Sequence, residues 1–274
     1  MKIVHRRPEL HAAREQLGAP TGLVMTMGAL HDGHVELMRA AREHARSVIV
    51  TIFVNPMQFG VDEDLATYPR TLEADLARCD AAGVDLVWAP AVEDVYLAGP
   101  VAVSVDPGTL GRELEGEFRP THFAGVLTVV AKFFGMVRPE MAFFGEKDYQ
   151  QLALIKRMAA DLDLGVEVAG VPTVREPDGL ARSSRNVYLS VQEHATALVL
   201  SGALRAGAAA ADGGAEAVLA AGRAVLATEP DAKIDYFELR GADLGPVPAH
   251  GAARLLVAAR VGSTRLIDNI AVDL

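Results

Sequence analysis

Short apolar runs alternate along this chain with longer segments of helical period. Ser47 to Val54 (Ser-Val-Ile-Val-Thr-Ile-Phe-Val) is rich in β-branched residues and apolar at successive positions. That is the pattern of a parallel strand buried on both faces. Leu23-Val24-Met25, Asp85 to Trp88, Met141 to Phe144 and Val166 to Val171 read similarly. Between them, Thr71 to Ala82, Thr121 to Val137 and Tyr149 to Asp161 read as helices, as does the segment carrying Leu37, Met38 and Ala41. This order predicts an α/β fold with a mostly parallel sheet covered on both faces.

After Pro172 the pattern changes. Glu193 to Ala211 and Ala215 to Ala227 are alanine-rich helical segments separated by Asp212-Gly213-Gly214. Three expected strands follow, Ile234 to Leu239, Arg254 to Val261 and Thr264 to Val272, with a hairpin turn at Val261-Gly262-Ser263-Thr264. Helices followed by antiparallel strands predict a smaller α+β domain. The expected division is residues 1–173 and residues 174–274.

Composition narrows the function. Half of the 274 residues are apolar, so a substantial core is expected. The formal net charge of −10 argues against a nucleic-acid surface, which normally carries a basic patch. One Trp and 5% aromatic residues give a single-strand stacking platform little support. Neither observation excludes a nucleotide held by a few local cations. No apolar run approaches the roughly 20 residues needed to span a bilayer, and the first residues lack the apolar stretch of a signal peptide. A lone cysteine, Cys79, has no internal partner for a disulfide. A reducing cytoplasm, a small-molecule substrate and no membrane partner are the expectation.

Four segments carry candidate chemistry. Thr26-Met27-Gly28-Ala29-Leu30-His31-Asp32-Gly33-His34 stands where a strand hands over to a helix. Backbone N–H groups there, with two imidazoles, suit phosphates; a helix cap with a satisfied histidine is the plainer alternative. Phe53-Val54-Asn55-Pro56-Met57-Gln58-Phe59-Gly60 ends the buried strand. Ligands of open parallel sheets bind outside the carboxyl ends of the strands, so Asn55 and Gln58 are placed to offer amides to a small polar ligand. An Asn-Pro turn that merely stops the strand is the alternative. Phe143-Phe144-Gly145-Glu146-Lys147-Asp148-Tyr149-Gln150-Gln151 repeats the strand–glycine–helix arrangement, with Lys147 as a phosphate cation or as part of a surface charge cluster. The fourth, Val174-Arg175-Glu176-Pro177-Asp178-Gly179-Leu180-Ala181-Arg182-Ser183-Ser184-Arg185-Asn186, is a polar loop. Arg185 could grip phosphates there, and an interdomain linker is equally consistent.

The His-x-Gly-His turn resembles that of the nucleotidylyltransferase and class I aminoacyl-tRNA synthetase superfamily. Together with Tyr68-Pro69-Arg70-Thr71, Arg119 to Val126 and Arg265 to Ile270, the four segments resemble the AMP-forming pantoate–β-alanine ligase family along nearly the whole chain. The resemblance implies a Rossmann-like nucleotide-binding domain, a smaller C-terminal lid, and a homodimer through the larger domain. It implies ATP as co-substrate with Mg²⁺, and pantoate and β-alanine as substrates.

By motif, His31 and His34 would contact ATP phosphates, with His34 the family's proton donor. Lys147 and Arg185 would join them in catalysis. Met27 and Gly28 would line the pantoate–ATP junction, and Gln58 and Gln151 would hold pantoate with support from Asn55. Gly145, Glu146, Lys147 and Asp148 would bind ATP, with Asp148 toward the ribose. Val174, Arg182, Ser183, Ser184 and Arg185 would complete nucleotide recognition. Asp75 is the expected protein contact of the metal region. Arg182 departs from the family, whose members commonly carry Met or Leu there, and Glu73-Ala74-Asp75-Leu76 is thinner in acidic residues than in some relatives.

Overall fold

Six parallel strands form the larger sheet in the order β1-β4-β3-β2-β5-β6. They are β1 (Lys2–Val4), β2 (Thr21–Thr26), β3 (Ser47–Ile52), β4 (Leu86–Trp88), β5 (Met141–Gly145) and β6 (Glu167–Val171). The helices around them are α1 (Arg7–Arg14), α2 (Asp32–His44), α3 (Leu72–Ala81), the single turns α4 (Val92–Val95) and α5 (Glu115–Phe118), α6 (His122–Val137) and α7 (Tyr149–Asp161). This computed structural model describes residues 1–60, 65–97, 99 and 101–274.

Neighbouring residues of one strand enter different cores. Leu23, Ile49 and Leu86 pack with Leu10, Phe133 and Ile155, which belong to α1, α6 and α7. Val24, Val50 and Val87 pack with Met38, Ala41 and Cys79, which belong to α2 and α3. Both faces are therefore covered, which explains why these strands are apolar at successive positions. β1 and α1 went unanticipated. β1 has three residues, and α1 buries only Leu10 and Ala13 among charged neighbours.

The strand order decides where a ligand can bind. From β2 the chain steps outward through β3 and β4, then returns to pair β5 on the other side of β2. The order reverses between β2 and β5, and in open parallel sheets that reversal opens a crevice at the carboxyl ends. Three of the four sequence segments leave β3, β2 and β5, which are adjacent.

The chain divides into two compact units, Met1–Glu146 with Gln151–Pro172, and Lys147–Gln150 with Thr173–Leu274. The second contains α8 (Val191–Ala209), α9 (Gly214–Leu226) and an antiparallel sheet of β7 (Ala232–Gly241), β8 (Ala252–Val261) and β9 (Thr264–Asp273). Val261 pairs Thr264 across the Gly262-Ser263 turn, the expected hairpin. Leu200, Leu204 and Val218 from the helices meet Phe237, Leu255 and Val257 from the sheet in one core. Among the described residues no helix is long and apolar enough to cross a membrane.

Candidate active site

The turn after β2 folds through two consecutive residues of positive φ, Gly28 at +83° and Ala29 at +50°. Gly28 adopts this freely, while an L-residue such as Ala29 pays about 1–2 kcal/mol. A carboxylate from α3 offsets that strain. Asp75 Oδ1 accepts from Leu30 N at 2.7 Å, and Oδ2 accepts from Ala29 N at 3.0 Å. The Thr71 hydroxyl lies 3.2 Å and 3.3 Å from the same two oxygens. Asp75 is 1% exposed. The expectation that it meets a metal gives way here: its oxygens are buried and committed to the turn.

His31 caps α2. Its Nδ1 accepts from Gly33 N at 3.1 Å, and His34 Nδ1 accepts from His31 N at 3.2 Å. Two imidazoles thus form the reciprocal capping box more often built from Ser/Thr and Glu/Gln. An Nδ1 that accepts from an amide carries no proton, so each neutral ring bears its proton on Nε2. The ring centroids are 4.1 Å apart. Nδ1 of each ring thus holds the start of the helix, and Nε2–H is a donor.

At the end of β3, Asn55 uses its whole amide inside the protein. Oδ1 accepts from Met57 N (3.2 Å) and the Tyr96 hydroxyl (2.7 Å), and Nδ2 donates to Gly125 O (3.2 Å) and Gln58 Oε1 (3.2 Å). Burial pushes the Tyr96 hydroxyl up to about 12, which keeps it a donor. Asn55 therefore positions Gln58 and has no hydrogen-bonding capacity left for a ligand. Gln58 Nε2 lies 3.0 Å from Met27 Sδ, joining the turns that follow β2 and β3. Its main-chain oxygen accepts from His122 Nδ1 (2.9 Å) and Arg119 (3.4 Å).

Close packing of α6 makes this possible: a Cβ on Gly125 would lie 2.1 Å from Met57 O. Tyr96, Arg119, His122 and Gly125 were given no role from the sequence. Arg119 and His122, three residues apart at a helix start, were the available signal; Tyr96 had none.

Gly145 ends β5, and Glu146 and Gln151 lie half-buried on the larger unit. Lys147 and Asp148 group with the smaller unit. There Lys147 O accepts from Asn269 Nδ2 at 2.8 Å, and Lys147 Nζ lies 3.8 Å from Asp148 Oδ2. Only 20% of the Lys147 side chain is exposed, while Asp148 is half open to water.

The polar loop of the smaller unit is a braced hairpin rather than a loose linker. Arg182 N donates to Val174 O (2.9 Å) and Glu176 N to Leu180 O (2.8 Å). Arg175 grips the buried Asp268 bidentately at 2.6 Å and 3.0 Å. Ser183 Oγ accepts from Arg185 N at 3.2 Å, capping the short turn Ser184–Tyr188 and fixing where Arg185 leaves the chain. Glu176, Asp178 and His194 bring their ligand atoms within 4.8 Å of one another. Internal bonds account for them: Asn186 donates to Glu176 at 2.9 Å, and His194 lies 2.7 Å from Asp178, holding its carboxyl below the usual range.

A doubly covered parallel sheet, with a histidine-capped helix start at its reversal point, is the arrangement of a Rossmann-like nucleotide-binding enzyme. The model of the pantoate-beta-alanine ligase family matches residues 2–271, and the chain belongs to that family. The pantothenate synthetase of Salinispora arenicola is 61% identical over 276 residues, covering 100% of this chain and 98% of that protein. That of Saccharopolyspora erythraea is 59% identical, with coverages of 97% and 89%. The crystal structure of pantothenate synthetase from Thermus thermophilus superposes with a TM-score of 0.93 at 46% identity, covering 98% of this chain and 99% of that one. A pantoate-beta-alanine ligase from Francisella tularensis, solved with beta-gamma ATP and beta-alanine, gives 0.83 at 33% identity, with coverages of 98% and 97%.

Proposed function

We propose that this chain condenses pantoate with β-alanine at the expense of ATP, giving pantothenate, AMP and pyrophosphate. The pantoate carboxylate oxygen attacks the ATP α-phosphorus, the bond to the β-phosphate oxygen breaks, and pyrophosphate leaves. The β-alanine amine then attacks the acyl carbon of pantoyl adenylate, loses a proton, and expels AMP. A carboxylate is a poor acyl donor, and adenylation supplies the leaving group.

The observation that carries this reading is the paired imidazole cap at the reversal point of the sheet. Its two Nε2–H groups, with the N-terminus of α2, are donors for charge that grows on the α-phosphate and the departing pyrophosphate. Such donors stabilise the growing charge by hydrogen bonding. Gln58 and Gln151 bind pantoate beside Met27 and Gly28, with Asn55 behind Gln58. Gly145, Glu146, Lys147 and Asp148 take ATP, with Asp148 toward the ribose. Val174, Arg182, Ser183, Ser184 and Arg185 complete the nucleotide site, and residues 174–274 serve as its lid. Mg²⁺ would accompany ATP and offset its phosphate charge. The working form is a cytoplasmic homodimer, which sedimentation of the purified protein tests.

The deciding experiment is pantoate-dependent ATP–pyrophosphate exchange without β-alanine, followed by AMP release when β-alanine is added. Absence of both with folded protein refutes the proposal.

A further inference from the structure

Asp75 belongs to neither the substrate groups nor the phosphate groups assigned above, yet its carboxylate faces the turn that carries both histidines. Ala29 and Leu30 donate to its two oxygens at 3.0 Å and 2.7 Å, and Thr71 braces it from behind. A Cβ on Gly28 would lie 3.0 Å from Oδ2, so the carboxylate also closes against the outside of the turn. His31, the next residue, is the cap of α2.

We propose that Asp75 is a positioning residue for adenylation: by holding the amides of Ala29 and Leu30 it sets how the chain enters α2, and so where the Nε2–H groups of His31 and His34 point. This rests on the reading of those rings as phosphate donors. The chemistry of the strut is specific. Two converging N–H groups need an acceptor on both arms, which an ionised carboxylate supplies. Asparagine has the same shape but offers one acceptor, and its NH₂ would face an amide N–H.

Three measurements on the full chain test this. Amide hydrogen exchange reads the strut directly: in Asp75→Asn, Ala29 and Leu30 lose protection while α6 and β3 keep theirs. Unchanged protection at Ala29 and Leu30 overturns the proposal whatever reaction the enzyme performs. In pyrophosphate exchange, Asp75→Asn lowers kcat by about 10²-fold, the effect of misplacing a catalytic group by about 1 Å. The pantoate KM changes less than kcat does, because Asn55, Arg119 and His122 still hold Gln58 when its contact with Met27 shifts.

The third measurement separates positioning from general loosening. In a background lacking both rings, His31→Ala with His34→Ala, Asp75→Asn adds no more than about two-fold, because its route of action is already cut. Full additivity overturns the proposal. Thr71→Val removes the brace while leaving the carboxylate, and it lowers the same kcat less steeply at constant KM; this keeps the idea testable if Asp75→Asn fails to fold. Wild-type protein without exchange activity refutes the reaction and leaves the strut to be judged by amide protection.

Discussion

Gly125→Ala is the sharpest single perturbation the structure offers. An added Cβ would sit 2.1 Å from Met57 O, 2.5 Å from Met57 C and 2.8 Å from Gln58 N. All three are backbone atoms, so no side chain can swing aside. Reaching an ordinary contact of about 3.4 Å requires α6 and the Pro56–Gln58 turn to separate by more than about 1 Å. The same shift stretches the bond from Asn55 Nδ2 to Gly125 O, now 3.2 Å, and the grip of His122 on Gln58 O, now 2.9 Å.

Overpacking of this kind typically costs about 1–3 kcal/mol of stability. A displacement of about 1 Å at a substrate-holding residue is worth about 10²-fold in rate. The expected outcome is therefore a protein that still folds, with a lowered melting temperature and kcat/KM for pantoate down about 10²-fold. ATP affinity, measured by calorimetry without pantoate, should change little. Gly135→Ala on the same helix is the control: nothing lies within 4 Å of its added Cβ. There alanine should raise stability by about 0.5–1 kcal/mol through helix propensity alone. Near-wild-type kinetics for Gly125→Ala would refute the claim that α6 fixes the Gln58 turn by direct backbone contact.

His34→Ala should reduce pyrophosphate exchange by about 10²–10³-fold while the circular dichroism spectrum stays unchanged; near-full exchange would remove the ring from the phosphate site. Arg175→Ala removes the cationic partner of Asp268, which is 4% exposed and keeps only the Asn269 N–H as a donor among the described residues, and should cost about 3 kcal/mol in chemical denaturation. Arg175→Ala and Asp268→Ala together should cost less than the sum of the two. Cys79 is pushed up to about 12 by burial and, secondarily, by the Asp75 charge. Its thiol should resist alkylation at pH 8 in native protein and react once the chain is unfolded. Because the folded-state value is raised, its contribution to stability is whole below the unfolded value of 9.0 and is lost as pH rises through about 12. Denaturation midpoints at pH 8, 9.5 and 11 check the sign.

The strands from β2 to β6 and the helices from α6 onward could be read because their faces are uniform: apolar runs mark a sheet covered twice, and 3.6-residue spacing marks a helix with one wet side. β1 and α1 lacked that signal, since three residues and two buried positions make no period. The candidate site was legible as residue types at strand ends. Which of those residues are spoken for was not. Asn55 and Asp75 are both polar, both near a turn, and both 1% exposed. In the sequence they look like Gln58 or any other ligand candidate, because hydrogen-bond saturation leaves no mark on spacing.

By itself, then, the order of residues determined the class of fold, the hairpin at Gly262, and which polar segments stand at strand ends, since these depend on local period and turn type. Tertiary structure alone decided that β3, β2 and β5 lie side by side, that a carboxylate 45 residues downstream holds Leu30, and that an amide 70 residues upstream holds Gly125. Those are contacts between groups far apart in the chain, and only packing brings a donor to its acceptor.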